Sequence, residues 1–493
     1  MSSNGRRLPA LSRREWLYLS AIPLAAQGVQ KVSREPHYWT LCEAADQIRK
    51  RRISSEELTK LCLERIGKHN EKLNAFITLT ADSALEQART CDRDLQKGLA
   101  HGALHGVPFA LKDNIDTAGV LTTAASKVFA DRVPSEDAEV TSRVKRAGAV
   151  LLGKLNLDEF AFAGSGTTGS YGPSRNPWNV ERITGGSSSG SAAAVSDGLC
   201  FGSVGTDDGG SVRIPGSHCG VVGFKTSYGR VSTRGIVPSA YSLDSVGPIT
   251  RSVEDAALML EILAGFDPLD AIVLDRPVPV YSRTLRNPIS QLRVGIPRTN
   301  FFDQLDPDVA ASVEAAISHM KGRVRDVKDV TLPQFQPVQG GGTEIELYHY
   351  HRDYFEKSRD KYSAYSQRLL DRAKIVASDN YVETLKRIRE ARRDIRKVFE
   401  QVDILLLPTM REPAPPLKDV MNRTHRAPPS NVSAFNRFGL PALTLPCGFS
   451  RDGLPVGLQI VGPSFGESVV LSAAFVFQQS TEWHLRHPSV LLN

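Results

Sequence analysis

Gly185-Gly186-Ser187-Ser188-Ser189-Gly190-Ser191 opens the stretch on which the reading of this chain turns. Thr206-Asp207-Asp208-Gly209-Gly210-Ser211-Val212-Arg213-Ile214-Pro215 closes it. Between them, residues 192–199 read as a small-residue helix and 200–205 as an apolar strand. Glycine loses the most backbone entropy on folding, so two glycine clusters flanking one compact unit mark turns or a close approach of backbone to a ligand. A serine hydroxyl attacks a carbonyl only when a base takes its proton and fixed donors receive the oxyanion. Asp208, Gly209, Gly210 and Ser211 offer four successive backbone N–H groups that two glycines allow to converge. Ser211 is thus a candidate nucleophile sitting in its own candidate oxyanion hole. Taken alone, a Gly-Gly turn accounts for the same letters equally well.

The base has two candidates. His218 is close in sequence but has no evident carboxylate to orient it. Lys112 ends Gly106-Val107-Pro108-Phe109-Ala110-Leu111-Lys112-Asp113-Asn114, an apolar run of strand length that meets polar turn residues at the lysine. A lysine there ordinarily begins a solvated loop. As a base it must be neutral, which asks for a pKa drop of about 3 units, or about 4 kcal/mol. A buried strand end lined with hydroxyl and carbonyl groups supplies that setting, and Ser187 is placed to relay the proton between Lys112 and Ser211.

These three segments, in this order, resemble the amidase signature family. The resemblance runs from about Trp39 to the C-terminus. It includes Cys219-Gly220-Val221-Val222-Gly223-Phe224-Lys225, Gly439-Leu440-Pro441-Ala442 and Gly453-Leu454-Pro455-Val456-Gly457-Leu458-Gln459. It implies an α/β amidase signature fold, one large mixed β-sheet sandwiched between layers of α-helices. It also implies a Ser-cisSer-Lys triad of Ser211, Ser187 and Lys112, with a cis Gly186–Ser187 peptide. Asp207 and Arg213 fall on the acid and arginine flanking the nucleophile, where a buried structural ion pair is expected. One departure stands out: Asp208 occupies a position where threonine is common, setting a carboxylate beside the oxyanion site.

Composition bounds the remaining choices. A chain of 493 residues with 41% hydrophobic and 23% charged residues reads as globular. No apolar tract reaches the length of a membrane span. The six cysteines are scattered without a C-x-x-C pair, so neither a zinc site nor a disulfide framework is expected. His349 and His351 face apart on a helix and read as packing or pocket lining; no metal and no cofactor is expected. Of the net charge of +7, the first thirty residues carry +3, leaving a modest +4 on the body. The basic face at 381–402 reads as a solvated helix, and nucleic acid is not an expected partner.

Residues 1–30 form a basic leader. Ser12-Arg13-Arg14-Glu15-Trp16-Leu17 before a short apolar run resembles a twin-arginine export signal, which would place the protein in the periplasm, although no clean small-residue cleavage site follows; the alternative is a cytoplasmic protein with a basic leader. Strand and helix signals then interleave, so residues 36–493 are expected as a single amidase signature domain. Thr40–Glu43 and Ser54–Glu57 read as capping boxes, and Ser252–Asp255 opens a helix to Leu263. The glycine-rich loop at 164–177 is long enough to suggest a function. Residues 330–380, with Gly340-Gly341-Gly342 and the aromatics at 348–354, are expected to line an acyl pocket.

The expected function is a stand-alone amidase that hydrolyses a small-molecule amide through an acyl-enzyme, with the oligomeric state left open, a homodimer included. The alternative is the glutamine-hydrolysing A subunit of a tRNA-dependent amidotransferase. A third reading, an α/β-hydrolase with Ser188 in Gly186-Ser187-Ser188-Ser189-Gly190 and a C-terminal His484 or His487, lacks the strand that should precede the nucleophile.

Overall fold

The computed structural model describes residues 35–339 and 341–489, so the leader lies outside the described residues. Its centre is an eleven-stranded mixed sheet. The strands are β1 (Phe76–Leu79), β2 (Pro108–Lys112), β3 (Val150–Leu155), β6 (Gly202–Thr206), β7 (Val222–Lys225), β8 (Val246–Thr250), β9 (Arg293–Ile296), β10 (Asp326–Asp329), β11 (Ile404–Pro408), β12 (Ala442–Phe449) and β13 (Pro455–Val461). The spatial order is β1-β3-β2-β6-β8-β7-β12-β13-β11-β9-β10. β4 (Arg175–Asn176) and β5 (Asn179–Ile183) form a separate two-stranded ribbon. The expected α/β architecture is therefore present. The segment ahead of Gly185, read from sequence as loop, is this ribbon and not a strand of the main sheet.

The sheet is covered on both faces, and β11 shows how. Ile404 and Leu406 join the main hydrophobic cluster with Leu443, Leu458 and Ile460, whereas Leu405 and Leu407 join a second cluster with Ile395, Val398 and Phe435. Side chains alternate across a strand, so an unbroken apolar run is what a strand buried on both sides requires. Each fully buried Leu or Ile contributes about 1.5–3 kcal/mol relative to exposure. The two capping boxes form as read, at Thr40 for helix Leu41–Arg49 and Ser54 for Ser55–Leu73, and the helix start read at Ser252, for Val253–Leu263, proves to be a third. The helix read across 381–402 is instead two, Ser378–Asp394 and Arg396–Phe399. Its cations are engaged locally: Arg387 and Lys386 pair with Glu383, Arg393 with Asp394, and Arg392 turns inward to the carbonyls of Arg437 and Ser242.

β2 runs parallel to both β3 and β6. The carboxyl ends of β2 and β6, where their chains turn off the sheet, are where an open α/β sheet ordinarily receives a ligand. Lys112 and Thr206 are the last residues of those two strands.

Candidate active site

Lys112 is wholly buried, and its Nζ donates to Ser187 Oγ at 2.7 Å and to Thr206 Oγ1 at 2.8 Å. Asn114 Nδ2 donates to the same threonine oxygen at 3.2 Å. Burial penalises the ammonium and pulls its pKa down to about 8, against the opposing pull of Asp208, Asp158, Asp207 and Asp244. The strand end therefore delivers a lysine that is neutral for much of the time near pH 8. Thr206 escaped the sequence reading, although it sits immediately before Asp207 in the motif quoted first.

Ser187 is carried by the first glycine cluster, and the Gly186–Ser187 peptide is cis. Gly186 has no room for a side chain, because a Cβ would strike the Asp158 carboxylate and the Gly166 nitrogen. Asp158 gathers the long glycine-rich loop. Its carboxylate accepts the N–H groups of Gly166 (2.8 Å), Thr167 (2.9 Å) and Thr168 (3.0 Å), and its own N–H donates to the Ser187 carbonyl at 3.2 Å. Gly186 N–H donates to the Gly164 carbonyl at 2.8 Å. The loop is thus a collar around Ser187, and Asp158, which sequence reasoning missed, ties it in place.

Ser211 lies on the turn that leaves β6, just ahead of the helix Arg213–Cys219, and is 4% exposed. Its carbonyl accepts the Ser188 N–H at 3.1 Å, joining the two clusters directly. The Ser211 hydroxyl, however, is directed at Asp208 Oδ1, 3.4 Å away. Among the described residues no hydrogen bond links Ser211 to Ser187. The expected relay is closed between Lys112 and Ser187 and open between Ser187 and Ser211, because the carboxylate at position 208 competes for the hydroxyl.

The expected oxyanion hole needs a similar correction. Gly210, at φ +130°, donates its N–H to Asp207 Oδ1 at 2.8 Å, so that donor is taken. The physical reason is the buried Asp207 carboxylate, which cannot lie unsatisfied. It also accepts Val212 N–H (3.1 Å), Asn436 Nδ2 (2.8 Å) and a two-pronged contact from Arg213 through Nε (3.0 Å) and Nη2 (2.9 Å). Burial opposes its ionisation, but the Arg213 guanidinium outweighs burial and holds the carboxyl well below the usual range. Arg213 further bonds the Val432 carbonyl, Gln459 Oε1 and Asn436 Oδ1. This is the structural ion pair expected at 207 and 213. The N–H groups of Gly209 and Ser211 have no acceptor among the described residues, and the space where Gly209 would carry a Cβ is open. The Asp208 N–H offsets the charge of its own carboxylate.

Asp208 is half-buried, and its Oδ2 accepts the Ser239 hydroxyl at 2.9 Å. Asp244 stands close by, holding the N–H groups of Ser239 (3.0 Å) and Ala240 (3.1 Å). Burial raises both carboxyls above the ordinary range, and the charge of Asp207 raises Asp208 further while that of Asp208 raises Asp244. The loop bearing Asp244 is fastened from above by helix Glu344–Ser358: Glu346 accepts the Ser242 N–H (3.0 Å) and hydroxyl (3.2 Å) as well as the Tyr381 hydroxyl (2.9 Å). Ser239, Asp244 and Glu346 carry no sequence signal that separates them from ordinary loop and helix residues.

The other candidates separate from this cluster. Ser188 is buried with its hydroxyl on the Thr206 carbonyl at 3.3 Å, and His487 stacks on Tyr38 at 3.9 Å, so the α/β-hydrolase arrangement is not assembled. His218 packs behind Gly185, where burial pushes its pKa down to about 4. His349 is exposed, whereas His351 is buried against Phe160 with Nδ1 on the Tyr362 hydroxyl at 3.0 Å. Among the described residues no cluster of three or more His, Cys, Asp or Glu is arranged to hold a metal ion, and no helix is long and apolar enough to cross a membrane.

A buried lysine touching a serine, beside a second serine on a glycine turn, is an arrangement in which a serine hydroxyl can be activated. Residues 57–471 match the family named Amidase, and the chain belongs to it. The A subunit of the glutamyl-tRNA(Gln) amidotransferase from Moorella thermoacetica is 41% identical over 484 residues, covering 92% of this chain and 99% of that one. Among solved structures, 6-aminohexanoate cyclic dimer hydrolase is similar with a TM-score of 0.84 and 28% identity, covering 93% of this chain and 99% of that chain. The peptide amidase from Stenotrophomonas maltophilia follows at 0.80 and 31%, covering 91% and 98%.

Proposed function

We propose that Ser211 is the nucleophile of an amide hydrolysis in which Lys112 is the base and Ser187 the proton bridge. Ser211 Oγ bonds to the amide carbon while its proton passes through Ser187 to Lys112. The oxyanion collapses, the carbon–nitrogen bond breaks, and the departing nitrogen takes that proton. Water then cleaves the acyl-enzyme by the reverse route, leaving a carboxylate. The Gly209 and Ser211 N–H groups are the donors for the oxyanion. The relay requires the Ser211 hydroxyl to exchange Asp208 for Ser187. The observation that carries this reading is the 2.7 Å contact between Lys112 Nζ and Ser187 Oγ in a dry pocket. A serine-directed phosphonate is expected to label the wild type and not Ser211→Ala; labelling that survives the substitution would sink the assignment.

That chemistry has two settings. Identity of 41% along nearly the whole chain supports a glutamine-hydrolysing A subunit of a tRNA-dependent amidotransferase more strongly than 28–31% identity supports the stand-alone amidase that the sequence reading placed first. The stand-alone setting is supported by the leader, because tRNA charging is cytoplasmic and export would remove the chain from it. Assaying the purified chain with glutamine and simple amides, first by itself and then with partner subunits, separates the two. Glutamine hydrolysis that appears only with partners supports the amidotransferase setting; turnover of simple amides by the chain alone supports the amidase.

A further inference from the structure

Asp208 is the acid that the proposed mechanism does not use and that works against it. Its Oδ1 occupies the Ser211 hydroxyl at 3.4 Å and its Oδ2 holds Ser239 at 2.9 Å. Asp244 backs it through Ser239 and Ala240. Neither carboxylate has a cation within ion-pair distance among the described residues, Lys112 being held by Ser187 and Thr206. The charged groups facing Asp208 are Lys112 on β2, Asp207 beside it and Asp244, with the Tyr365 phenol also in electrostatic reach and Asp158 acting on Lys112. An anion in this place opposes the developing oxyanion and holds the proton on Lys112. A cation arriving with the substrate reverses both effects and releases the Ser211 hydroxyl.

Two further observations point to the same kind of ligand. Asn114 is 1% exposed and its Oδ1 has no hydrogen-bond partner among the described residues; it borders a void of about 10 Å³, with Thr206, Ser239 and Asp244 on the other walls. Asn114 Oδ1 is a buried acceptor left open there, whereas the Asp244 oxygens are taken by the N–H groups of Ser239 and Ala240. Tyr241 and Tyr365 remain 42% and 37% exposed, with phenols in electrostatic reach of Asp244 and of Asp208 respectively. Aromatic faces at partly open positions attract ammonium groups.

We propose that Asp208 is a specificity-determining residue that selects amides bearing a protonated amine within a few carbons of the scissile carbonyl. The proposal rests on Ser211 being the nucleophile. The spacing sets the substrate's shape: a charge-assisted hydrogen bond spans about 2.8 Å and the attacked carbon lies about 3–3.5 Å from Ser211 Oγ. With Asp208 only 3.4 Å from that oxygen, an arm of a few carbons spans the gap.

The test compares leucinamide with 4-methylpentanamide, which lacks only the amine. The wild type is expected to favour leucinamide in kcat/KM by about tenfold or more. That ratio falls towards one as pH rises past about 8, where an α-amino group loses its proton. Taking the ratio cancels the shared titration of Lys112. In Asp208→Asn and Asp208→Thr the leucinamide rate falls, the neutral amide's rises, and the preference collapses. Where turnover is slow, protection of Ser211 from the phosphonate by each amide reads the same ratio. A wild-type ratio of one, or a preference that survives both substitutions, overturns the proposal. If neither amide is cleaved and the phosphonate leaves no adduct on Ser211, the nucleophile assignment falls and this proposal with it.

Discussion

Lys112 Nζ donates to Ser187 Oγ at 2.7 Å, although 75 residues separate the two in the chain. One sits at the end of a buried strand and the other on a glycine turn held by the Asp158 collar. Burial of the lysine at this contact sets the pH behaviour. Lysine acts as a base only when neutral, so with its pKa pulled down to about 8 the logarithm of kcat/KM should rise by about one per pH unit below 8 and level off above it. Lys112→Ala should remove that rising limb and lower kcat by about 10²–10⁴-fold. A limb that persists in the variant assigns the base elsewhere.

Ser187→Ala keeps nucleophile and base but removes the bridge between them. Activity should drop by about 10²–10⁴-fold, while slow phosphonate labelling of Ser211 remains. Equal labelling rates in the variant and the wild type would show that the proton takes another path.

Arg213→Ala leaves Asp207 as a buried, uncompensated charge. The expected loss is about 3–5 kcal/mol in urea unfolding, and Asp207→Asn/Arg213→Ala should recover part of it. The sign with pH follows from the depressed carboxyl of Asp207: its contribution is present above the unfolded carboxylate pKa of about 3.9 and is lost as pH falls towards the lower folded value. Wild type should therefore weaken in acid more steeply than Arg213→Ala.

Glu346→Ala cuts three hydrogen bonds that tie helix Glu344–Ser358 and Tyr381 to Ser242, in the loop that holds Asp244. A loss of about 1–3 kcal/mol in thermal or urea unfolding is expected. Unchanged stability would mean the helix is held over the site by its apolar face alone.

The resemblance of the leader to a twin-arginine signal predicts export. Residues 1–30 fused to a folded reporter should deliver it to the periplasm, and Arg13→Lys/Arg14→Lys should abolish delivery. A reporter that stays in the cytoplasm removes the main argument against the amidotransferase setting.

Local signals were the legible ones. The capping boxes at Thr40 and Ser54 and the helix start at Ser252 each involve four residues, so sequence alone reveals them. Strand order was not legible, since β11 lies between β13 and β9 only through contacts distant in the chain. The long loop at 164–177 was recognisable as unusual, but not its anchor, because nothing near Asp158 announces that its carboxylate collects three N–H groups. The stretch at 206–211 offers donors, yet how they are shared depends on which of them the buried Asp207 captures.

By itself the sequence determined the α/β class and the family and singled out Lys112, Ser187 and Ser211 as candidates, because reactive groups and the glycines that shape their turns are written locally. Only the tertiary structure decided which groups they face. It gave Lys112 its dry pocket and its Thr206 partner, withdrew the Gly210 N–H from the oxyanion site, and set the Ser211 hydroxyl against Asp208. Those outcomes depend on burial and distance between segments far apart in the chain, and no local pattern encodes either.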